Sequence, residues 1–332
     1  MTRPIGFPTS GRVFEAGVAF SGRFWRGGDV MRTLVTGGTG FIGRCLLPHL
    51  KRPVVLSRFG SKRQGALASL DLTTYDWESR SGPPPDQAFD NVDVVIHLAG
   101  ENISSGRWTR AKKRRIYASR VTGTSNLVST LTRLTRPPRL LISASAVGYY
   151  GPHGDEVLSE SSPRGRDFLA DLCVAWESAA LAAADVGIRV VLLRAAPVLG
   201  PGGGVLAGLL LPFKFGMGGR LGNGRQWMPW IALDDLVRLV LFLRDHETIH
   251  GPVNATSPNP CTNAEFTAAL GEVLHRPTML TVPASVLRLA LGPIADVLLA
   301  SQRVIPRIAT EAGFQFQYPR VKAALAAALN ES

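Results

Sequence analysis

Apolar residues recur along this chain in two alternating rhythms. Short runs bounded by glycine, proline or charge read as buried strands: Thr33 to Val35, Pro53 to Arg58, Val92 to Gly100, Arg139 to Val147 and Ile188 to Arg194. Between them the spacing changes to that of helices. Phe41, Ile42, Cys45, Leu46 and Leu50 share one face. A basic stretch from Arg107 to Arg120 leads into Val121, Leu127 and Leu131. Phe168, Leu169, Leu172, Cys173, Trp176 and Ala180 mark an amphipathic helix over Phe168 to Val186. Strands alternating with helices predict a parallel sheet with right-handed crossovers. The expected fold class is α/β: a Rossmann-type doubly wound parallel sheet with a small, mostly helical C-terminal substrate region. Ala66 to Asp71 is expected as a third strand, and Ser79 to Phe89 as a proline-rich loop.

After Gly204 the pattern loosens. Leu206 to Phe215 predicts a helix. Gly216 to Trp230 is rich in glycine and aromatic residues without a clear period, and is read as a long loop walling a substrate cleft. Trp230-Ile-Ala-Leu then opens a helix whose N-terminus carries Asp234 and Asp235, a favourable place for acids. Asn254 ends a short strand, and Thr262 to Glu265 fits a capping box. Pro283 to Ala300 and Thr310 to Ala328 read as further helical material. The expected division is a disordered extension over 1–30, a core of alternating strands and helices over 31–204, and a C-terminal region over 205–332. That last region also contributes to the sheet, and its final helical part covers about 275–330.

Composition narrows the functional classes. The chain has 332 residues, of which 45% are hydrophobic and 19% charged, ordinary values for a globular protein with ample core. Formal net charge is +12. A basic balance raises nucleic acid as a partner, yet the charge is not gathered in one tail, and no zinc-finger, basic-zipper or RNA-recognition pattern occurs. An anionic cofactor accounts for it as well. Val286 to Ala300 is broken by Arg288, Gly292-Pro293 and Asp296, so no membrane span is expected. Arg3, Arg12, Glu15, Arg23 and Arg26 interrupt any secretory apolar core before Met31. Cys45, Cys173 and Cys261 are odd in number and far apart, which predicts neither disulfides nor a metal set and points to a reducing, cytoplasmic compartment.

The most specific chemistry lies just after the first strand. Gly37, Gly38, Gly40 and Gly43 sit between a strand and a helix, and Gly38-x-Gly40-x-x-Gly43 fits the dinucleotide fingerprint. One glycine makes the turn, one lets backbone approach a pyrophosphate, and one packs the helix on the strand. Thr39, Phe41 and Ile42 fill the same segment, whose helix N-terminus favours phosphate. The end of the second strand sets cofactor type. Where an NAD site expects an acid on the ribose, this chain has Ser57 and Arg58, with Lys62 and Arg63 behind. A guanidinium binds a 2′-phosphate that a carboxylate would repel, so NADP(H) is favoured over NAD(H). The fourth strand ends in Leu98-Ala99-Gly100-Glu101, small enough for backbone to approach the cofactor. His97, inside that strand, reads as a packed core histidine. The basic run from Arg107 reads as a solvated helix face, with an anion-binding patch as the sharper alternative. In doubly wound sheets chemistry sits beyond the carboxyl ends of the strands, which makes Ser143, Ser145, Tyr149 and Tyr150 candidates by position.

Together these residues resemble the extended short-chain dehydrogenase/reductase superfamily. More narrowly, they are similar to its atypical, 39U-like, NAD-dependent epimerase/dehydratase branch with a C-terminal helical domain. The resemblance rests on Thr36-Gly-Gly-Thr-Gly-Phe-Ile-Gly43, His97-Leu-Ala-Gly-Glu101, Arg107-Trp108, Ser143-Ala-Ser-Ala-Val-Gly-Tyr-Tyr-Gly151, Gly222-Asn-Gly-Arg-Gln226, Trp230-Ile-Ala-Leu-Asp-Asp235 and Ser301-Gln-Arg-Val-Ile-Pro306. It covers about Met31 to the C-terminus. It implies a seven-stranded parallel sheet, a nicotinamide cofactor against Gly37 to Gly43, Ser57, Arg58, Leu98 to Glu101, Arg120 and Cys173, and a Ser, Tyr and Lys catalytic set. A homodimer through a helix pair is compatible with it. Ser145 matches the family serine. Leu169 and Cys173 stand where the Tyr-x-x-x-Lys pair should be, and neither can do that pair's work. Two readings follow. One is an NADP(H)-dependent oxidoreductase or epimerase acting on a small carbonyl, hydroxyl or sugar-like substrate. In it Tyr149, Tyr150 or Glu101 gives the proton and Ser145 orients a carbonyl oxygen. The other is a catalytically degenerate NADPH-binding sensor or scaffold.

Overall fold

Among the described residues, seven strands form one parallel sheet. They are β1 (Thr33–Thr36), β2 (Val54–Ser57), β3 (Thr73–Asp76), β4 (Val94–His97), β5 (Leu140–Ala146), β6 (Arg189–Ala195) and β7 (Gly251–Ala255), in the order β7-β6-β5-β4-β1-β2-β3. The computed structural model describes residues 31–58, 67, 69–103 and 106–330. The expected extension over 1–30 and the two cations Lys62 and Arg63 lie outside the described residues. The α/β doubly wound class read from the sequence is the observed one.

Each central strand is buried on both faces, so its side chains alternate between two cores. Val35, Val55, Ile96 and Ile142 face a cluster completed by Leu46 and by Leu236, Leu239 and Leu243 of α6 (Leu233–Asp245). Leu34, Leu56, Val95 and Leu141 face the opposite cluster, with Leu127 and Leu131 of α3 (Gly123–Leu131) and Ala180 of α4 (Phe168–Leu181). Register holds this alternation: Val35 pairs with Val55 and Ile96, and Ile96 with Ile142. Each fully buried Leu or Ile here contributes about 1.5–3 kcal/mol.

The third strand is not where periodicity put it. Residues 66 and 68 lie outside the described residues, and the Leu70 N–H donates to the Leu67 carbonyl as in a turn. Leu67 is buried in the sheet's core, so the apolar signal marked a plug and not a strand. Threonines at 73 and 74, suited to a half-exposed edge, pair with Val54 and Val55 instead.

The first helix, α1 (Phe41–Leu46), is short because Pro48 turns the chain into a 3₁₀ turn over Leu47–His49. The basic segment forms α2 (Arg110–Tyr117), then one π-helical turn over Ala118–Thr122 that runs into α3. Beyond β6, α5 (Leu206–Lys214) leads into the region expected as a structureless loop. It carries short strands: Gly219–Leu221 pairs with Leu280–Val282, and Trp227–Met228 with Cys261–Thr262. Their partners are distant in sequence, so no local period announces them. The capping box forms as expected at the start of α7 (Asn263–Leu274): Thr262 accepts from the Glu265 N–H, and Glu265 accepts from the Thr262 N–H at 2.7 Å. The C-terminal helices are α8 (Ala284–Leu291), α9 (Ile294–Leu299), α10 (Arg307–Glu311) and α11 (Val321–Asn330). Residues 312–320, expected as helix, are not. Among the described residues no helix is long and apolar enough to cross a membrane, and no cluster of His, Cys, Asp or Glu could hold a metal.

Candidate functional site

The glycine turn after β1 is shaped by contacts that leave no room for side chains. Gly37 has φ +73°, and a Cβ there would lie 2.8 Å from the Ala99 nitrogen and the Leu98 carbonyl carbon. A Cβ on Gly43 would collide with the Gly37 carbonyl oxygen and stand 2.6 Å from the Gly38 Cα. Gly38 abuts Val55 at 3.0 Å by the same measure, whereas Gly40 is exposed and caps α1 without a side chain. The turn therefore packs down on β2, β4 and α1 while its outer edge stays open. Thr39, Phe41 and Ile42 are half-buried. The glycines at 200, 203 and 204 close over the Phe41 ring. This arrangement fits a pyrophosphate, which needs backbone at close range.

Beneath the turn, His97 is a core histidine, as the sequence suggested. It is fully buried and hydrogen-bonded to Thr36 Oγ1 (2.7 Å) and Thr124 Oγ1 (3.0 Å). Burial pushes its pKa down to about 4. Thr36 Oγ1 also accepts the Ala99 N–H, tying β1 to the end of β4. Leu98 and Ala99 are half-buried and Gly100 is exposed. At the end of β2, Ser57 is half-buried and Arg58 exposed. The nearby Glu78 is gripped by Arg80 at 3.0 Å, which holds its carboxyl below the usual range.

Across the sheet, the ends of β5 and β6 meet α4 in a second cluster. Ser145 Oγ donates to Glu177 Oε1 at 2.6 Å. Glu177 and Arg194 form a two-pronged ion pair, both bonds 2.8 Å, with side chains 8% and 4% exposed. Arg194 Nη1 donates to Tyr150 Oη at 3.0 Å, and Tyr150 donates to Asn254 Oδ1 at 2.7 Å. Glu160 Oε1 accepts from the Asn254 and Ile308 amides, and burial raises the Glu160 carboxyl. The Arg194 guanidinium lies 3.4 Å above the Tyr149 ring centre. The C-terminal segment finishes this corner: Gln302 Nε2 donates to the carbonyls of Val147 and Gly151 at 3.1 and 3.0 Å.

The structure separates the three proton-handling candidates and the orienting serine. Tyr150 is fully buried, its hydroxyl is engaged on both sides, and burial pushes its pKa up to about 12. Glu101 is bound by Lys112 at 2.9 Å and flanked by Arg115 at 3.6 Å, which holds it below the usual carboxylate range. Ser145 spends its one O–H on Glu177. Tyr149 is half-buried at the edge of the cluster. Lys112, which the sequence suggested was part of a solvated face, is 5% exposed because it folds onto Glu101. Leu169 packs over Gly148. Cys173 lies against the Ala146 carbonyl at 3.7 Å, and burial pushes its thiol up to about 12. Arg120 lies beside Gly100 and under Trp176. Glu177, Arg194 and Glu160 were not singled out from the sequence. The available signal was a charge inside each of two apolar runs, Trp176-Glu177 and Leu192-Leu193-Arg194, which only a mutual pairing makes tolerable.

Residues 33–255 match the NAD dependent epimerase/dehydratase family, and residues 282–328 match a domain of unknown function (DUF1731). The chain is similar to an epimerase family protein of Mycobacterium leprae, 40% identical over 292 residues that cover 88% of this chain and 93% of that one. It is similar to the mouse epimerase family protein SDR39U1, 37% identical over 299 residues covering 89% and 98%. Among solved structures it is similar to the human epimerase family protein SDR39U1 (isoform 2), crystallised with NADPH. The two share a TM-score of 0.80 and 33% identity, over 91% of this chain and all of that one.

Proposed function

The chain belongs to the NAD-dependent epimerase/dehydratase family, and from that membership we propose that it binds NADP(H) and acts on a small carbonyl, hydroxyl or sugar-like substrate as an oxidoreductase or epimerase. When bound, the nicotinamide would accept or give a hydride. The observation that carries the reading is the close-packed glycine turn, where Gly37 and Gly43 admit backbone and nothing larger. Gly37 to Gly43 would hold the pyrophosphate, and Leu98 to Glu101 would border the cofactor's path. Ser57 and Arg58 would take the adenosine 2′-phosphate. The NADPH in the human relative supports that choice. Residues 31–204 would supply this nucleotide platform and 205–332 the substrate wall. Cys45, Cys173 and Cys261 form no disulfide among the described residues, which fits a reducing compartment such as the cytoplasm.

For proton handling the geometry favours Tyr149. Tyr150 serves as a brace for Arg194, and Glu101 as a fixed anion. Ser145, with its proton on Glu177, offers lone pairs, so it suits orienting a substrate hydroxyl better than a carbonyl oxygen. Leu169 and Cys173 in place of the Tyr-x-x-x-Lys pair keep the sensor reading alive. Turnover of NADPH with a panel of carbonyl compounds decides between the two. Oxidation that falls in Tyr149→Phe supports the enzyme, while tight binding with no oxidation across the panel supports the sensor. Cofactor choice is tested by fluorescence titration: NADPH should bind the protein more tightly than NADH, and Arg58→Gln should shrink that preference about tenfold. Equal affinity for both cofactors in the unaltered protein would remove the NADP(H) assignment.

A further inference from the structure

The sheet order fixes which half of a dinucleotide lies where. β1 is flanked by β2 on one side and β4 on the other, so the crevice opens where strand order reverses. With the adenosine end at Arg58 after β2, the nicotinamide ribose must cross the ends of β4 and β5, past Gly100 and Ser145. Residue 173 faces this stretch from α4. A cation there would meet the ribose, yet the chain puts a neutral thiol at that position.

A guanidinium reaches the same place from another helix. Arg120 sits in the π-helical turn Ala118–Thr122, a distortion that re-aims a side chain relative to the flanking α-helix. Its Cζ lies 5.1 Å from the Trp176 ring centre, one helical turn beyond Cys173. A Cβ on Gly100 would stand 3.4 Å from the guanidinium carbon and from Nη2, ordinary van der Waals contact, so the cation lies directly beside the strand end. Arg120 and Cys173 are near enough to influence each other's charge, and Cys173 in turn is within hydrogen-bonding reach of Ser145. Among the described residues the hydrogen bonds of Arg120 use Nη1: to the Glu101 carbonyl at 3.0 Å and to Ser119 Oγ at 3.4 Å. Nε and Nη2 carry no hydrogen bond to another described residue and can donate elsewhere.

We infer that the fixed positive charge of this site has moved between helices, from position 173 on α4 to Arg120, whose Nε and Nη2 bind the hydroxyls of the nicotinamide ribose. The inference rests on the NADP(H) reading above. It also accounts for the small neutral residue at 173, since a lysine there would set two cations side by side. An arginine does not release its proton in this range, so Arg120 holds charge and position and leaves proton transfer to another group.

The experiment compares two ligands on the full chain. NADPH carries the nicotinamide ribose; adenosine 2′,5′-bisphosphate carries the Arg58 end without it. Arg120→Met is expected to weaken NADPH at least about tenfold while the bisphosphate binds within twofold of the unaltered protein. Cys173→Lys alone should lose NADPH affinity, and Arg120→Ala combined with Cys173→Lys should recover most of it. Equal losses for both ligands in Arg120→Met, or none for NADPH, overturn the inference. Should Arg120→Met fail to fold, the double variant decides. A normal ratio of the two affinities supports the transfer of charge. A folded double variant that has lost its NADPH advantage, or one that does not fold, overturns it. If the unaltered protein binds neither ligand, the NADP(H) reading itself fails.

Discussion

The glycine turn and the corner around Arg194 are built on opposite principles. The turn is made of backbone from one short segment, and its shape follows from what is missing: side chains at Gly37 and Gly43. The corner is made of side chains from five separate segments, Ser145 and Tyr150 near the end of β5, Glu160 in a loop, Glu177 on α4, Arg194 on β6 and Asn254 on β7. The first is rigid because packing forbids alternatives. The second is rigid because buried charge demands partners, and each partner demands another. The turn therefore tolerates no added side chain, while the corner tolerates no lost one, because each loss leaves a buried partner unmatched.

Three perturbations sharpen that contrast, from the largest effect down. Glu177→Ala strips Arg194 of its buried counter-charge and should cost about 3–5 kcal/mol of stability. Chemical denaturation measures this, and a loss under about 1 kcal/mol would mean the corner is not held by charge. Gly43→Ala forces a methyl against the Gly37 carbonyl and should cost about 1–3 kcal/mol. Here cofactor affinity should fall as well, since the turn itself must shift. A variant with full NADPH affinity would show the turn to be pliable. The third concerns His97, whose folded pKa of about 4 lies below the ordinary value near 6.5. The unfolded chain binds the proton first, so stability is complete above about pH 6.5 and is lost as pH falls towards 4. Between pH 7 and 5.5 the loss should be about 1 kcal/mol, and His97→Asn should remove that slope. A slope unchanged in the variant would assign the acid sensitivity to a carboxyl held below its usual range, such as Glu101, and not to Glu160, whose raised carboxyl favours the folded state as pH falls.

These two regions also differ in how far the sequence revealed them. The turn was fully legible, because spacing within Gly37 to Gly43 is local and each glycine answers a local steric demand. The central strands were legible for a related reason: runs such as Val94 to His97 have no other way to be buried. The edge strand was not, because Leu67 and Leu70 mimic a strand while serving as a plug. Nor were the short strands at 219–221 and 227–228, whose partners lie 61 and 35 residues away by subtraction of paired numbers (280 less 219, and 262 less 227). In the corner, Ser145, Tyr149 and Tyr150 were found by position at a strand end. Their roles were not, because those depend on Glu177 and Arg194, which sequence distance hides. Tyr150, a candidate proton donor by position, has its hydroxyl bonded to Arg194 and Asn254; Lys112 looked solvated and lies under Glu101.

The stitching of Gln302, Ile305 and Ile308 onto the strand ends has a consequence for how the molecule is made. A ribosome delivers the glycine turn well before Gln302, Ile305 and Ile308, which close the corner around Arg194. Until they arrive, Asn254 and Glu160 have backbone partners still missing. In a nascent chain the turn can thus settle while the corner still waits for its last backbone partners.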